Sequence, residues 1–171
     1  MCGDAAVIEH HTQDQSLMSA TELAPELLQA AQYFFDQIPF NHLVGIQVDS
    51  LSTEKVCMHV SMREELIGNH IQGILHGGVI ASILDVAGGA MALIGAFQRL
   101  PELPAVERMM SLSKLGTIDM RVDYLRPGRG KRFDAVATLL RTGNKVAVVR
   151  TELHNDDGYL IAVSTGTYLV G

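Results

Sequence analysis

The stretch LHGGVIASILDVAGGAMALIGAF, residues 75–97, decides the reading of this chain. It opens on His76-Gly77-Gly78, where missing side chains let another group approach the backbone closely. From Val79 to Phe97 it carries one ionisable residue, Asp85, and one other polar side chain, Ser82. A helix that is apolar all round belongs inside something. The run is also long enough to raise a membrane-spanning reading, since about 18 apolar residues can cross a bilayer. Asp85 in mid-span, the glycines at 88, 89 and 95, and amphipathic strands on both sides favour a central helix wrapped by a sheet. The lone carboxylate needs a reason, because burying an unpaired charge is costly.

Working upstream, residues 63–75 form a loop with Gly68, Asn69 and Gly73. Before it comes a hairpin: Leu43–Val48, a turn over Asp49–Thr53, then Lys55–Val60, with His59 expected on the strand surface. A first helix is expected from about Thr21 to Ile38. Thr21 or Ser19 can cap it, Pro25 falls in its first turns, and Leu23, Leu27, Leu28, Ala31, Phe34 and Phe35 make one apolar face. Pro39 is expected to end it. Residues 1–18, polar and containing His10-His11, are expected to be a disordered tail. That leaves 19–171 as one domain.

Downstream, residues 98–111 contain Pro101 and Pro104 and read as a long connection, the kind that serves as a lid or specificity element. Thr117–Tyr124 alternates polar and apolar without a break. Phe133–Arg141, Lys145–His154 and Tyr159–Val170 follow, with turns at Gly143-Asn144 and Asn155–Gly158. Short connections imply an antiparallel meander. The order α-β-β-α-β-β-β-β predicts an α+β fold in which a curled antiparallel sheet faces one long helix.

Composition narrows the function. Of 171 residues, 47% are hydrophobic and 19% charged, the profile of a globular domain. A net charge of −6 offers nucleic acid no basic field. Cys2 and Cys57 are too few for a disulfide framework and fit a reducing, cytoplasmic compartment. The N-terminus lacks the pattern of a signal peptide. Seven histidines show no ligand spacing with the acids, so no metal is expected.

The start of the long helix can do chemistry. Its first backbone N–H groups have no intrahelical partners and carry partial positive charge. Gly77 and Gly78 leave those donors uncovered, able to hold a carbonyl oxygen as charge develops on it. Glycines that merely permit tight packing on the sheet would look the same. Asp85 can be a nucleophile or a general base for water, or a structural aspartate satisfied by hydrogen bonds. Gly77 and Asp85 are eight residues apart, about 12 Å along a helix. Within one helix they cannot act on one carbonyl carbon. Two such helices antiparallel about a two-fold axis would bring them together, giving two equivalent sites shared across a dimer.

His76-Gly77-Gly78 with Asp85 nine positions after the histidine, Gly73 before it and the Thr117–Pro127 strand after it resembles the hotdog-fold acyl-CoA thioesterases of the PaaI type, in the 4-hydroxybenzoyl-CoA thioesterase-like superfamily. The likeness covers roughly residues 40–170, and the order of elements agrees. It implies a hotdog fold, with an extra N-terminal helix here, that hydrolyses acyl-CoA without a cofactor as a homodimer or dimer of dimers, with no nucleic acid and no membrane span. By this resemblance Gly77, flanked by Gly78, supplies the oxyanion N–H and His76 helps place the thioester. Asp85 of the other subunit activates water or attacks directly. Thr117 stands where members carry a Ser or Thr that orients the water, although strict alternation puts it on one polar face with Asp119 and Arg121. Members often carry an Asn before the His-Gly-Gly, and Asn69 is the candidate, beside His70.

For the CoA phosphates the resemblance points to the basic turn RPGRGKR, residues 126–132, with Arg126 and Arg129 foremost. Arg141, Asn144 and Lys145 in the next hairpin are further candidates. Ser82, Val86 and Gly89 flank Asp85 at helical spacing and would leave room for the acyl group. The 99–111 insertion, with Met109 and Met110, would cap an acyl tunnel. Aromatic residues are only 5% with no Trp, which favours medium or long aliphatic acyl groups over aryl ones. A non-catalytic acyl-CoA-binding regulatory module on the same fold is the alternative, and it would need no carboxylate. A hotdog dehydratase would need a different His and carboxylate arrangement.

Overall fold

The computed structural model describes residues 25–99, 107 and 111–171. The expected tail, the caps at Ser19 or Thr21, Leu23, and Met109 and Met110 lie outside the described residues. Helix α1 (Pro25–Asp36) buries Leu27, Ala31 and Phe35, four residues apart, and packs on the first strand. Pro39 does not simply end this helix. It opens a second one, α2 (Pro39–Val44), as its first residue, where a missing N–H costs nothing. Gly45 closes α2 in the left-handed conformation, φ 82°. Leu43 and Val44 are therefore helical, and strand β1 (Ile46–Leu51) starts three residues later than alternation implied. It also runs on through Asp49, with a bulge between Val48 and Ser50.

Strand β2 (Lys55–Ser61) follows. The expected loop after it holds a 3-10 turn at Glu64–Leu66 and a two-stranded ladder, β3 (Ile67–Asn69) against β4 (Ile74–Leu75). Helix α3 (Gly77–Arg99) is the apolar run, and strands β5 (Gly116–Tyr124), β6 (Arg132–Thr142), β7 (Val146–Asn155) and β8 (Leu160–Leu169) complete the chain.

The main sheet is antiparallel in the order β1-β2-β6-β7-β8-β5. Only β6-β7-β8 is the meander that the short turns implied. β5 lies at the far edge beside β8, so residues 125–131 cross the ends of β8 and β7 before β6 begins. Leu75 N–H donates to Gly128 O at 2.9 Å as the crossing passes the start of α3. A Cβ on Gly128 would stand 2.9 Å from that of Leu75, so only glycine fits there.

α3 packs against β2, β5, β6, β7 and β8 and buries Ile83, Leu84, Met91, Leu93, Ile94 and Phe97 within the curl. Facing it are Val56, Met58 and Val60 of β2, Phe133, Ala135 and Ala137 of β6, and Ala147, Val149 and Leu153 of β7. The small strand residues let the helix lie close, and large side chains interdigitate around them. α3 is long and apolar enough to cross a membrane, but most of it is covered by the chain's own sheet.

On the outer side of the sheet, His59 is not the surface residue expected. It is 8% exposed, and its Nδ1–H donates to Asp49 at 2.9 Å. Arg132 joins this Asp49, at 2.8 Å, to Asp134, at 2.7 Å. The β1 bulge keeps Asp49 in the strand, where it covers the histidine.

Candidate active site

The first turn of α3 is built by its own entry residue. His76 N–H donates to Leu66 O at 2.8 Å, and Gly68 packs so tightly on His76 that a Cβ there would stand 2.6 Å from its Cα. His76 O accepts the N–H of Val79 at 3.0 Å and of Ile80 at 3.2 Å. His76 Nδ1 accepts the N–H of Gly78 at 2.8 Å, as an N-cap side chain does. Nδ1 therefore carries the lone pair and Nε2 the proton. Gly78 is thus not an open donor, contrary to the reading of two uncovered glycine amides. Gly77 N–H, first in the helix and without an intrahelical acceptor, meets no acceptor among the described residues.

Asn69 shapes the loop that leads to the helix. Its Oδ1 accepts the N–H of Ile71 at 3.1 Å and of Gln72 at 3.2 Å, and its carbonyl takes Gly73 N–H at 2.8 Å. That is an Asx turn, closed by Gly73 at φ 61°. The side chain builds the turn between β3 and β4.

Asp85 is half-buried, and it has partners. Thr117 Oγ1 donates to its Oδ1 at 2.8 Å. Strict alternation placed Thr117 on the polar face of β5, but the ladder slips between Thr117 and Asp119. Ile118 is the extra residue, and Thr117 lies opposite Tyr168, which faces the helix. Opposed residues in a ladder share a face, so the bulge turns Thr117 inward while Asp119 and Arg121 stay outside. Bulges commonly re-aim a side chain in this way.

Tyr168 was not singled out by the sequence. It is buried, and its hydroxyl donates to the backbone O of Asp85 at 3.3 Å. Burial, with the Asp85 charge beside it, pushes its ionisation well above the usual phenol range. Gly88 and Gly166 leave the room it occupies. A Cβ on Gly88 would overlap the hydroxyl, and one on Gly166 would stand 2.5 Å from it. Tyr124 was also missed. Its hydroxyl donates to Gly77 O at 3.0 Å.

The N-terminal half of α3 keeps one less-buried stripe, Gly78, Ala81, Ser82, Asp85 and Val86. Ser82 Oγ donates back to Gly78 O at 2.7 Å. Gly89 is not on the stripe. It is buried under the helix, where a Cβ would touch the Tyr168 ring at 3.7 Å and Leu115 at 4.0 Å. It frames Tyr168 rather than an open acyl groove.

The two sets of CoA candidates lie at opposite ends of α3. At its start, Arg126 Nη1 donates to Leu160 O at 2.8 Å and Arg129 Nη2 to Gln72 Oε1 at 3.1 Å, both side chains otherwise exposed. At its end, Arg141, Asn144 and Lys145 line a cleft of about 780 Å³ together with Arg99. Arg99 donates to Thr142 O at 3.0 Å and to Asn144 Oδ1 at 2.8 Å. With 22 residue steps of about 1.5 Å between Gly77 and Arg99, the two sets cannot serve one phosphate group in one chain. Among the described residues, no three His, Cys, Asp or Glu side chains converge to hold a metal ion.

Residues 72–162 match the family model of the thioesterase superfamily. Over 155 residues the chain is 45% identical to the medium/long-chain acyl-CoA thioesterase YigI of Escherichia coli K12, covering 90% of this chain and 100% of that protein. The crystal structure of a Shewanella oneidensis protein related to the thioesterase superfamily matches with a TM-score of 0.83 at 47% identity, covering 85% of this chain and 96% of that one. The PaaI protein from the phenylacetic acid degradation operon of E. coli matches with a TM-score of 0.68 at 17% identity, covering 85% and 94%, a likeness of fold alone.

Proposed function

The chain belongs to the thioesterase superfamily and has its hotdog fold, and from that premise we propose that it hydrolyses medium- or long-chain aliphatic acyl-CoA to free acid and CoA in a site shared by two copies of the chain. The acyl class follows the similarity to YigI. One observation carries the shared site. The carboxylate held by Thr117 and the open amide of Gly77 sit at the two ends of a stretch about 12 Å long on one helix. Both belong to the part of α3 that the chain's own sheet covers least. Among the described residues, β5 beside it pairs only with β8 and leaves its other edge open, with Ile118 and Tyr124 more than half exposed, a template for pairing. A two-fold axis near Ala81 would set Asp85 of each copy against Gly77 of the other.

In this reading the Gly77 N–H receives the thioester carbonyl oxygen. Asp85 takes a proton from water as the water oxygen bonds to the carbonyl carbon, with Thr117 fixing the carboxylate. The tetrahedral intermediate collapses, the C–S bond breaks, and the CoA thiolate leaves and is reprotonated. No cofactor enters this sequence. A single turnover in ¹⁸O water should place the label in the released acid; label found first in Asp85 would make the carboxylate the nucleophile.

The shared site is tested by mixing inactive variants. Asp85→Asn removes the base. Gly77→Pro removes the amide proton while keeping a residue that helix starts accept. Each alone should lose at least about a hundredfold in kcat. A refolded equimolar mixture should recover about a quarter of wild-type activity, since half of the dimers are mixed and each has one intact site of two. Recovery of nothing beyond the parents would overturn the sharing.

A further inference from the structure

Tyr124 has no part in the steps above, yet it touches their centre. Its hydroxyl donates to Gly77 O at 3.0 Å. Its Cε1 and Cζ stand 3.4 and 3.7 Å from where a Gly77 Cβ would be. The carbonyl of Gly77 and the N–H of Gly78 belong to one peptide unit, and that N–H is held by His76 Nδ1 at 2.8 Å. The unit is thus fastened at both ends, by Tyr124 and by His76. The preceding unit is fastened through His76 O, which takes the amides of Val79 and Ile80. The Gly77 N–H lies in this preceding unit, joined to the clamped one through the Gly77 Cα, so holding the Gly77–Gly78 plane limits how far the N–H can turn about the two soft dihedrals of Gly77. A glycine needs such help, because it lacks the steric limits that restrain other residues.

Tyr124 is itself firmly placed. It ends β5 opposite Ala162, and the next two amides, Leu125 and Arg126, both donate to Ile161 O at 2.9 and 3.0 Å. Even so, its side chain stays 54% exposed.

We propose that Tyr124 is a positioning residue for thioester hydrolysis, holding the Gly77–Gly78 peptide so that the Gly77 N–H points at the carbonyl oxygen as charge builds on it. The inference rests on the reading of Gly77 as the oxyanion donor. A donor aimed at the developing oxyanion acts in the transition state more than in the ground state. Losing the clamp should therefore lower kcat and leave KM nearly unchanged.

The experiment is a double-mutant cycle with steady-state kinetics on a saturated medium-chain acyl-CoA. Tyr124→Phe keeps the ring and deletes the hydroxyl. Its kcat should fall about tenfold with KM within about twofold, less than the 10²–10³ lost with a whole oxyanion donor. Its thermal unfolding should stay near wild type, because the lost hydrogen bond is exposed. Gly77→Pro removes the donor itself, and adding Tyr124→Phe to it should cost nothing further, since no N–H remains to be aimed. A merely structural tyrosine would lower activity by the same factor in both backgrounds, and that result overturns the proposal. So does a Tyr124→Phe enzyme whose kcat is within twofold of wild type while Gly77→Pro is inactive; in that case the oxyanion reading stands and only the clamp falls. Full activity in Gly77→Pro would remove the oxyanion reading and the clamp with it.

Discussion

Gly88 and Gly89 are neighbours on α3, and substituting each by alanine separates two environments that the sequence makes look alike. At mid-helix, alanine is favoured over glycine by about 1 kcal/mol. At position 89 nothing opposes this: the new Cβ would meet the Tyr168 ring at 3.7 and 3.9 Å and Leu115 at 4.0 Å, ordinary contact distances. Gly89→Ala should therefore raise Tm by about 2–4 °C for a chain of this size. At position 88 the Cβ would fall on the Tyr168 hydroxyl, with Cζ only 2.8 Å away. Overpacking of this kind costs about 1–3 kcal/mol. Pushing the hydroxyl off Asp85 O leaves a buried donor unpaired, for a further 1–3 kcal/mol or so. The propensity gain cannot offset both, and Gly88→Ala should lower Tm by about 5–10 °C. Circular dichroism melts of the two variants measure the difference. Adding Tyr168→Phe to Gly88→Ala removes the overlapping oxygen and should restore part of the loss. Turnover gives a second readout: Gly88→Ala disturbs the helix turn that carries Asp85, whereas Gly89→Ala should keep both kcat and the acyl chain-length profile. Equal Tm shifts in the two alanine variants, or a Gly88→Ala protein as stable as wild type, would refute the placing of Tyr168 against α3.

Other outcomes follow from the same geometry. Thr117→Val removes the donor to the Asp85 carboxylate at nearly constant volume and should lower kcat about tenfold, the equivalent of about 1.4 kcal/mol, close to the lower end of what a hydrogen bond to a charged group contributes; an unchanged kcat would show that the bulge has no catalytic consequence. Arg126→Ala with Arg129→Ala should raise KM several-fold for acyl-CoA and much less for an acyl thioester lacking the nucleotide, and equal changes on both substrates would take these arginines out of the CoA site. Because the ionisation of Tyr168 is raised in the folded state, its contribution to stability is complete below the ordinary tyrosine value of about 10 and is lost as pH climbs above it, where only the unfolded chain releases the proton. Melts between pH 9 and 11 should thus decline less steeply in Tyr168→Phe than in wild type, and parallel slopes would contradict the burial of a neutral phenol there.

Much of the fold was legible because its signals are local or periodic. The apolar run from Val79 to Phe97 had to be enclosed, whatever enclosed it. The turns at Gly143-Asn144 and Asn155–Gly158 joined adjacent strands, as such short connections do. The eight-residue separation of Gly77 and Asp85 is a fact of helix geometry that no packing can change. Where the reading failed, the local pattern allowed two outcomes or a partner from another strand had decided the matter. Pro39 could equally stop one helix or start the next, and Gly45 in the left-handed conformation selected the second. His59 lies on the outer side of the sheet as alternation predicts, yet Asp49 and Arg132 from other strands close over it.

The chain by itself therefore determined which groups are present and how far apart they stand along α3: an open helix start at Gly77, a carboxylate two turns later, and a threonine on the strand that follows. Only the tertiary structure decided where those groups point. Side chains alternate along a strand with a period of two, so one extra residue exchanges its faces. Nothing in residues 117–124 announces the bulge at Ile118; it exists because β5 pairs with β8 in a register that sets Thr117 opposite Tyr168. The same tyrosine distinguishes Gly88 from Gly89 and reaches the backbone of Asp85, from 83 positions further along the chain.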